Sequence, residues 1–84
     1  MIWRNDRLRI AERVQSDWAA LSHDERSLAL VALERIDDDP IAGAPLFEPL
    51  RGIWSFRTEH LRILYRIVAE ARFVVILSIG RAAA

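Results

Sequence analysis

The sequence predicts an α+β fold, an N-terminal strand and αα-hairpin packed on a small antiparallel β-sheet, and three observations carry that expectation. Residues 50–57, 61–67 and 73–81 are short runs of strand length, rich in Ile, Val, Leu and aromatic residues. A Ser22-His-Asp-Glu25 pattern opens a stretch in which Leu28, Val31, Ala32, Leu33 and Ile36 recur at helical spacing. All three prolines and Gly43 fall within residues 40–49, dividing the helical part of the chain from the strands.

Taken in order, residues 7–11 alternate polar and apolar, as a half-buried strand does. Val14, Trp18 and Leu21 then line one stripe of a short helix over residues 12–21. In the capping box, the Ser22 hydroxyl and the Glu25 carboxylate each accept a backbone N–H at the start of the second helix. That helix directs Leu28, Val31, Ala32, Leu33 and Ile36 inward and Ser27, Glu34 and Asp38 outward, and Pro40 ends it. Residues 40–49 read as an irregular loop. Strands follow near residues 53–58, 61–69 and 72–80, with turns centred on Glu59-His60 and Glu70-Ala71.

Length and composition narrow the function. Eighty-four residues form one domain, residues 1–84, near the lower limit for a single unstapled core. There is no cysteine, which excludes disulfides and thiolate metal sites. No long apolar run suggests a signal peptide or a membrane span, so a cytoplasmic location and no membrane partner are expected. All 12 basic residues are arginine, yet 12 acids balance them. Attraction to nucleic acid must therefore come from a local cluster rather than from the whole molecule.

Strand parity supplies such a cluster. A turn at Glu59-His60 sets Arg57 across from Arg62, Phe56 from Ile63 and Trp54 from Tyr65. A turn at Glu70-Ala71 sets Arg66 across from Val75 and Arg62 from Ile79, with Arg81 on the face of Ile79. Trp54, Phe56, Ile63, Tyr65, Ile67, Val74 and Ile76 then form a floor under the helices. The opposite face carries Arg57, Arg62, Arg66 and Arg81 among Leu64, Phe73, Val75 and Leu77. Like charges facing each other destabilise a sheet unless something neutralises them, which points to an anionic partner. The competing reading pairs these arginines with the chain's own Glu48, Glu59 or Glu70.

The pattern resembles the RelE/ParE superfamily of bacterial toxin–antitoxin toxins over residues 7–81. The resemblance rests on Asp39-Pro40, Leu50-x-Gly52, Trp54-x-Phe-Arg57, Leu61-Arg-Ile-Leu-Tyr-Arg-Ile67 and the run from Val75 to Gly80-Arg81. It implies a β-α-α-β-β-β domain and, in the RelE branch, a toxin that cleaves mRNA in the ribosomal A site without metal or cofactor. By the same resemblance Arg62 and Arg81 are the catalytic candidates, and Arg57 and Arg66 the RNA-binding ones. Leu64, Phe73, Val75 and Leu77 are the expected seat of an antitoxin whose acids pair with the arginines. The expected partners are a cognate antitoxin in a hetero-oligomer, together with the ribosome and mRNA. The alternatives are a ParE-like inhibitor of DNA gyrase and an inactive homologue that only binds antitoxin.

Three departures bear on catalysis. Ser55 stands where cleaving relatives can carry a second basic residue, the last strand has Ser78 and no histidine, and the sequence ends in Ala82-Ala-Ala84 where some cleaving members carry a tyrosine. His60 lies in a turn and His23 in the capping turn, so neither is an obvious proton carrier. Asp37-Asp-Asp39 does not converge as metal ligands do, and no metal is expected. The serines lack a His/Asp set for nucleophilic hydrolysis.

Overall fold

The structure, a computed structural model, describes residues 7–70 and 72–82. Strand β1 (Leu8–Ile10) leads into helices α1 (Arg13–Ala19) and α2 (His23–Asp38). A 3-10 turn at Pro40–Ala42 follows, then strands β2 (Ala44–Pro45), β3 (Trp54–Arg57), β4 (Leu61–Val68) and β5 (Phe73–Arg81). The five strands form one sheet in the order β1-β5-β4-β3-β2. Neighbouring strands run antiparallel except β1, which lies parallel to β5 through Leu8–Val74, Arg9–Val75 and Ile10–Ile76. The architecture is the α+β class expected. The parallel edge and the two-residue β2, inside what reads as an irregular loop, are additions. No helix among the described residues is long and apolar enough to cross a membrane.

The helices form for local reasons. Glu25 N–H donates to Ser22 Oγ at 3.1 Å while Ser22 N–H donates to Glu25 Oε1 at 2.8 Å, which closes the capping box. α1 has no side-chain cap and only seven residues, so packing holds it rather than propensity. Val14 is buried, and Trp18 packs against the core. The exposed carbonyls at its C-terminal end are met by an arginine: Arg26 donates to Trp18 O at 3.1 Å and to Ala19 O at 3.3 Å. Where β1 ends, Asp17 of α1 takes over its hydrogen-bonding role, accepting from Ile79 N–H at 3.0 Å.

The core lies between the helices and one face of the sheet. Ile63, Tyr65, Val74 and Ile76 are buried there with Ala29, Ala32, Leu33 and Ile36, and Trp54, Phe56 and Ile67 pack against them, as parity predicts. Leu28 and Val31 do not point inward. They are 41% and 58% exposed, and Ala29 takes the inward position. Residues 28–33 are apolar throughout, so spacing alone does not select the face. Packing favours the small Ala29 and Ala32, which let the helix backbone approach the strands.

Tyr65 ties the segment after α2 to the sheet. Its buried hydroxyl donates to Pro40 O at 2.6 Å and accepts from Gly43 N–H at 3.2 Å. Burial raises its pKa above the ordinary value, so the donated proton is retained. Gly43 has to be glycine here, since a Cβ would lie 2.5 Å from that hydroxyl and 2.7 Å from Ser55 O. Tyr65→Phe removes both bonds while keeping the ring. A loss of about 1–3 kcal/mol in unfolding free energy is expected from urea denaturation, because Gly43 N–H and Pro40 C=O lose a partly buried partner.

Candidate functional site: the open face of the sheet

The face of the sheet turned away from the helices is built by the odd-numbered residues of β3 and the even-numbered ones of β4. Arg57 pairs in register with Arg62, and Ser55 with Leu64. Further along β4, Arg66 lies opposite Val75, and Val75 is flanked on its other side by Arg9 of β1. Arg57, Arg62 and Arg66 are exposed on this face, as the parity argument predicts. Arg9, which the sequence reading did not place there, joins them. Its guanidinium carbon lies 5.1 Å from the Phe73 ring centroid, a cation–π contact. The alternation over residues 7–11 held that signal, because a strand with Leu8 inward must turn Arg9 outward.

The competing reading, neutralisation by the chain's own carboxylates, does not hold for Arg62 and Arg66. Glu48 pairs with Arg51 and Glu59 with His60. Among the described residues the side chains of Arg62 and Arg66 have no hydrogen-bond or ion-pair partner. Leu64, Phe73, Val75 and Leu77 lie around them but are half-buried rather than bare. The apolar area they offer is therefore smaller than the sequence suggests.

Arg81 is elsewhere. Parity carried through from the second turn sets Arg62 against Ile79, but β5 contains one residue more than β4. The turn residue Ala71 lies outside the described residues. The register Arg66–Val75 is nonetheless as expected, and Tyr65 still pairs with Ile76. Leu64 then pairs with Ser78, leaving Leu77 as the bulged residue. From that point every β5 side chain changes face. Ile79 becomes core, Gly80 lies beside Arg62, and Arg81 pairs with Leu61 on the helix side.

There Arg81 enters a two-pronged pair with Glu25: Nε donates to Oε2 and Nη2 to Oε1, each at 2.8 Å. Nη2 also donates to Ala20 O at 3.1 Å, at the C-terminal end of α1. Glu25 is the same carboxylate that completes the capping box, a second role that the sequence pattern did not reveal. The Arg81 hydrogen bonds, followed by the Ser22 N–H, hold the Glu25 carboxyl at about 2, well below its ordinary 4.5. Glu25 in turn raises the pKa of Arg81.

Arg57 and Arg81 do meet, though across a cleft at the end of the sheet rather than on its face. Asp24, Glu25, Glu59 and His60 share that cleft, which has a volume of about 630 Å³. Its charges are mixed, so it is no simple anion site. His60 Nε2 lies 3.2 Å from Glu59 Oε1, a partner not expected at a turn tip. Thr58 Oγ1 shapes that turn, accepting from His60 N–H at 3.2 Å and from Leu61 N–H at 2.9 Å.

The fold and the arginine-bearing sheet define a small α+β toxin of the RelE/ParE superfamily, and comparison with known proteins supports that assignment. The family model for the ParE toxin of type II toxin–antitoxin systems (parDE) matches residues 4–84. The chain belongs to this family and is the toxin of a type II system. Among solved structures it is similar to the toxin–antitoxin complex RelBE2 from Mycobacterium tuberculosis, with 28% identity and a TM-score of 0.84, covering 90% of this chain and 96% of that one. Isolated E. coli RelE toxin shares the fold at 21% identity and a TM-score of 0.76, covering 93% of this chain and 85% of that one. The toxin–antitoxin complex RelBE of E. coli shares it at 21% identity and 0.74, with 93% and 98% covered. No curated protein matches the sequence.

The Glu25–Arg81 pair has a measurable consequence. Glu25 has a lower pKa folded than unfolded, so its contribution to stability is complete above about 4.5 and is lost as the pH falls from there towards 2. Thermal melting of the wild type is expected to fall across that interval. Glu25→Gln should melt lower at neutral pH and lose this part of the acid dependence.

Proposed function

We propose that this toxin arrests its host by occupying a protein target, DNA gyrase, rather than by cutting mRNA. The observation that carries the reading is the position of Arg81. One of the two arginines expected to act on a scissile phosphate lies on the helix side, held by Glu25 and a helix carbonyl. The open face keeps Arg57, Arg62, Arg66 and Arg9. Among its described strand residues none is His, Tyr, Asp or Glu. Attack by a 2′-hydroxyl calls for a group that takes a proton and another that returns one. Arginines alone stabilise charge without moving protons. The match to a ParE model and the zero net charge favour the same reading.

The arginine face suits an antitoxin. An acidic segment laid across it would pair with Arg62 and Arg66 and cover Leu64, Phe73, Val75 and Leu77. RNA cleavage with Arg62 at the phosphate stays as a second reading, because Arg57, Arg62 and Arg66 share one exposed face.

Purified toxin is expected to inhibit gyrase supercoiling, and induced cells to arrest with no new mRNA 5′ ends inside translated codons. Such ends, present in the wild type and lost in Arg62→Ala, would establish the second reading in its place. Arg62→Ala is also expected to weaken antitoxin binding by roughly tenfold in a titration, as loss of one exposed charged contact does.

A further inference from the structure

The most exposed large apolar side chains of the described residues include three in one short segment. Phe47 is 84% exposed, Ile41 67% and Leu50 49%, all in the connection between α2 and β3. A loose loop would be an ordinary place for such residues, but this connection is tied down throughout. Tyr65 holds its start through Pro40 and Gly43. β2 pairs Ala44 with Ser55 and Pro45 with Trp54, and Leu46 N–H donates to Ile53 O at 2.8 Å. Leu50 N–H donates to Phe47 O at 2.8 Å and Ile53 N–H to Leu50 O at 3.1 Å, closing the tip on itself. Gly52, with φ of 94°, makes the return into β3 in a conformation that side chains disfavour. The fold thus presents an aromatic and two aliphatic side chains to water on a fixed frame.

We infer that the segment 41–50 is the element with which this toxin grips its protein target, Phe47 and Leu50 entering an apolar pocket on that target. The inference rests on the reading that the toxin acts by binding a protein. Charge identifies the occupant's chemistry. The two charged residues of the tip, Glu48 and Arg51, pair with each other at 3.4 Å. The tip therefore offers no net charge to a phosphate backbone or to an acidic antitoxin, both of which fit the arginines of β3 and β4. A neutral apolar pocket is the complement. Large, rigid aromatic side chains at the centre of a patch are the usual anchors of protein–protein contacts, and the frame here is already ordered before binding. The segment includes the edge strand β2, and β3 lies between β2 and β4, the strand of Arg62 and Arg66. Target and antitoxin can therefore be recognised by different parts of one small domain.

The test is a double substitution, Phe47→Ser with Leu50→Ser, made at exposed positions and checked for an unchanged melting temperature. Growth arrest on induction, antitoxin binding and gyrase inhibition are then measured for wild type and variant. The expected result is arrest lost, or reduced at least tenfold in the inducer needed, with antitoxin affinity kept within about threefold. Undiminished arrest by the variant overturns the inference. So does a large loss of antitoxin affinity, which would assign the loop to the antitoxin. So does concentration-dependent self-association of the wild type that the variant lacks, which would assign it to a second copy. A wild type that arrests growth without touching gyrase removes gyrase as the target, while the arrest comparison still decides the role of the loop. A wild type that arrests nothing removes both.

Discussion

At Leu77, β5 carries one residue more than the strand it pairs with, and the geometry of the C-terminal end of the sheet follows from that insertion. Without it, Ile79 would point to solvent and Arg81 would stand beside Arg62. With it, Ile79 closes the core under α1, and its N–H is turned to the Asp17 carboxylate. Arg81 is carried round to the junction of the two helices. There a single guanidinium bridges the last turn of α1, the first turn of α2 and the end of β5. Glu25 is the hinge of that junction, because its Oε1 accepts both the Ser22 N–H that starts the helix and Nη2 of Arg81. A bulge so placed converts a would-be surface cation into a structural tie. It also lowers the density of like charge on the open face, where Arg57 and Arg62 already face each other.

Much of this was legible in the residues, and where it was not there is a physical reason. The period of two locates β3 and β4 and their pairing to the residue, since each strand has one apolar and one polar face. The capping box fixes the start of α2, because only that spacing satisfies both backbone donors. Parity fails at Leu77 because both faces of β5 are apolar there, and Val75, Ile76 and Leu77 fit either phase. The inward face of α2 fails in the same way across Leu28 to Leu33, where every residue can be buried. Patterning speaks where polar and apolar residues contrast, and a continuous apolar run carries no phase. The open face was legible as a row of arginines. The pairing of Glu25 with Arg81, 56 residues apart, was not, because it depends on the bulge.

The loop after α2 shows the opposite limit. Its three prolines and a glycine mark it as non-helical, and they say nothing of whether it is ordered. Order comes from Tyr65, a residue 22 positions beyond Gly43, whose hydroxyl reaches both Pro40 and Gly43. The ring of Tyr65 is fixed in turn by Trp54, with centroids 6.3 Å apart. A conformationally restricted segment held by a buried tyrosine loses little further entropy when it meets a partner. Rigidity matters here because a domain of this size has few surfaces to spare.

A toxin of this class has to meet two partners, one that it disables and one that disables it. If both used the arginine face, any antitoxin would compete directly with the target for the same charges. Its advantage would then rest on affinity alone. Here the arginines of the open face lie on β1, β3 and β4, while Ile41, Phe47 and Leu50 lie in the connection between α2 and β3. On the proposed reading an acidic antitoxin would be drawn to the arginine face by long-range attraction, which chiefly raises the rate of encounter. An apolar contact acts only at touching distance and is not weakened by salt as charge attraction is. Separate sites of this kind would let the antitoxin arrive quickly while the hold on the target depended on shape, without a net charge that would scatter the protein onto every polyanion in the cell.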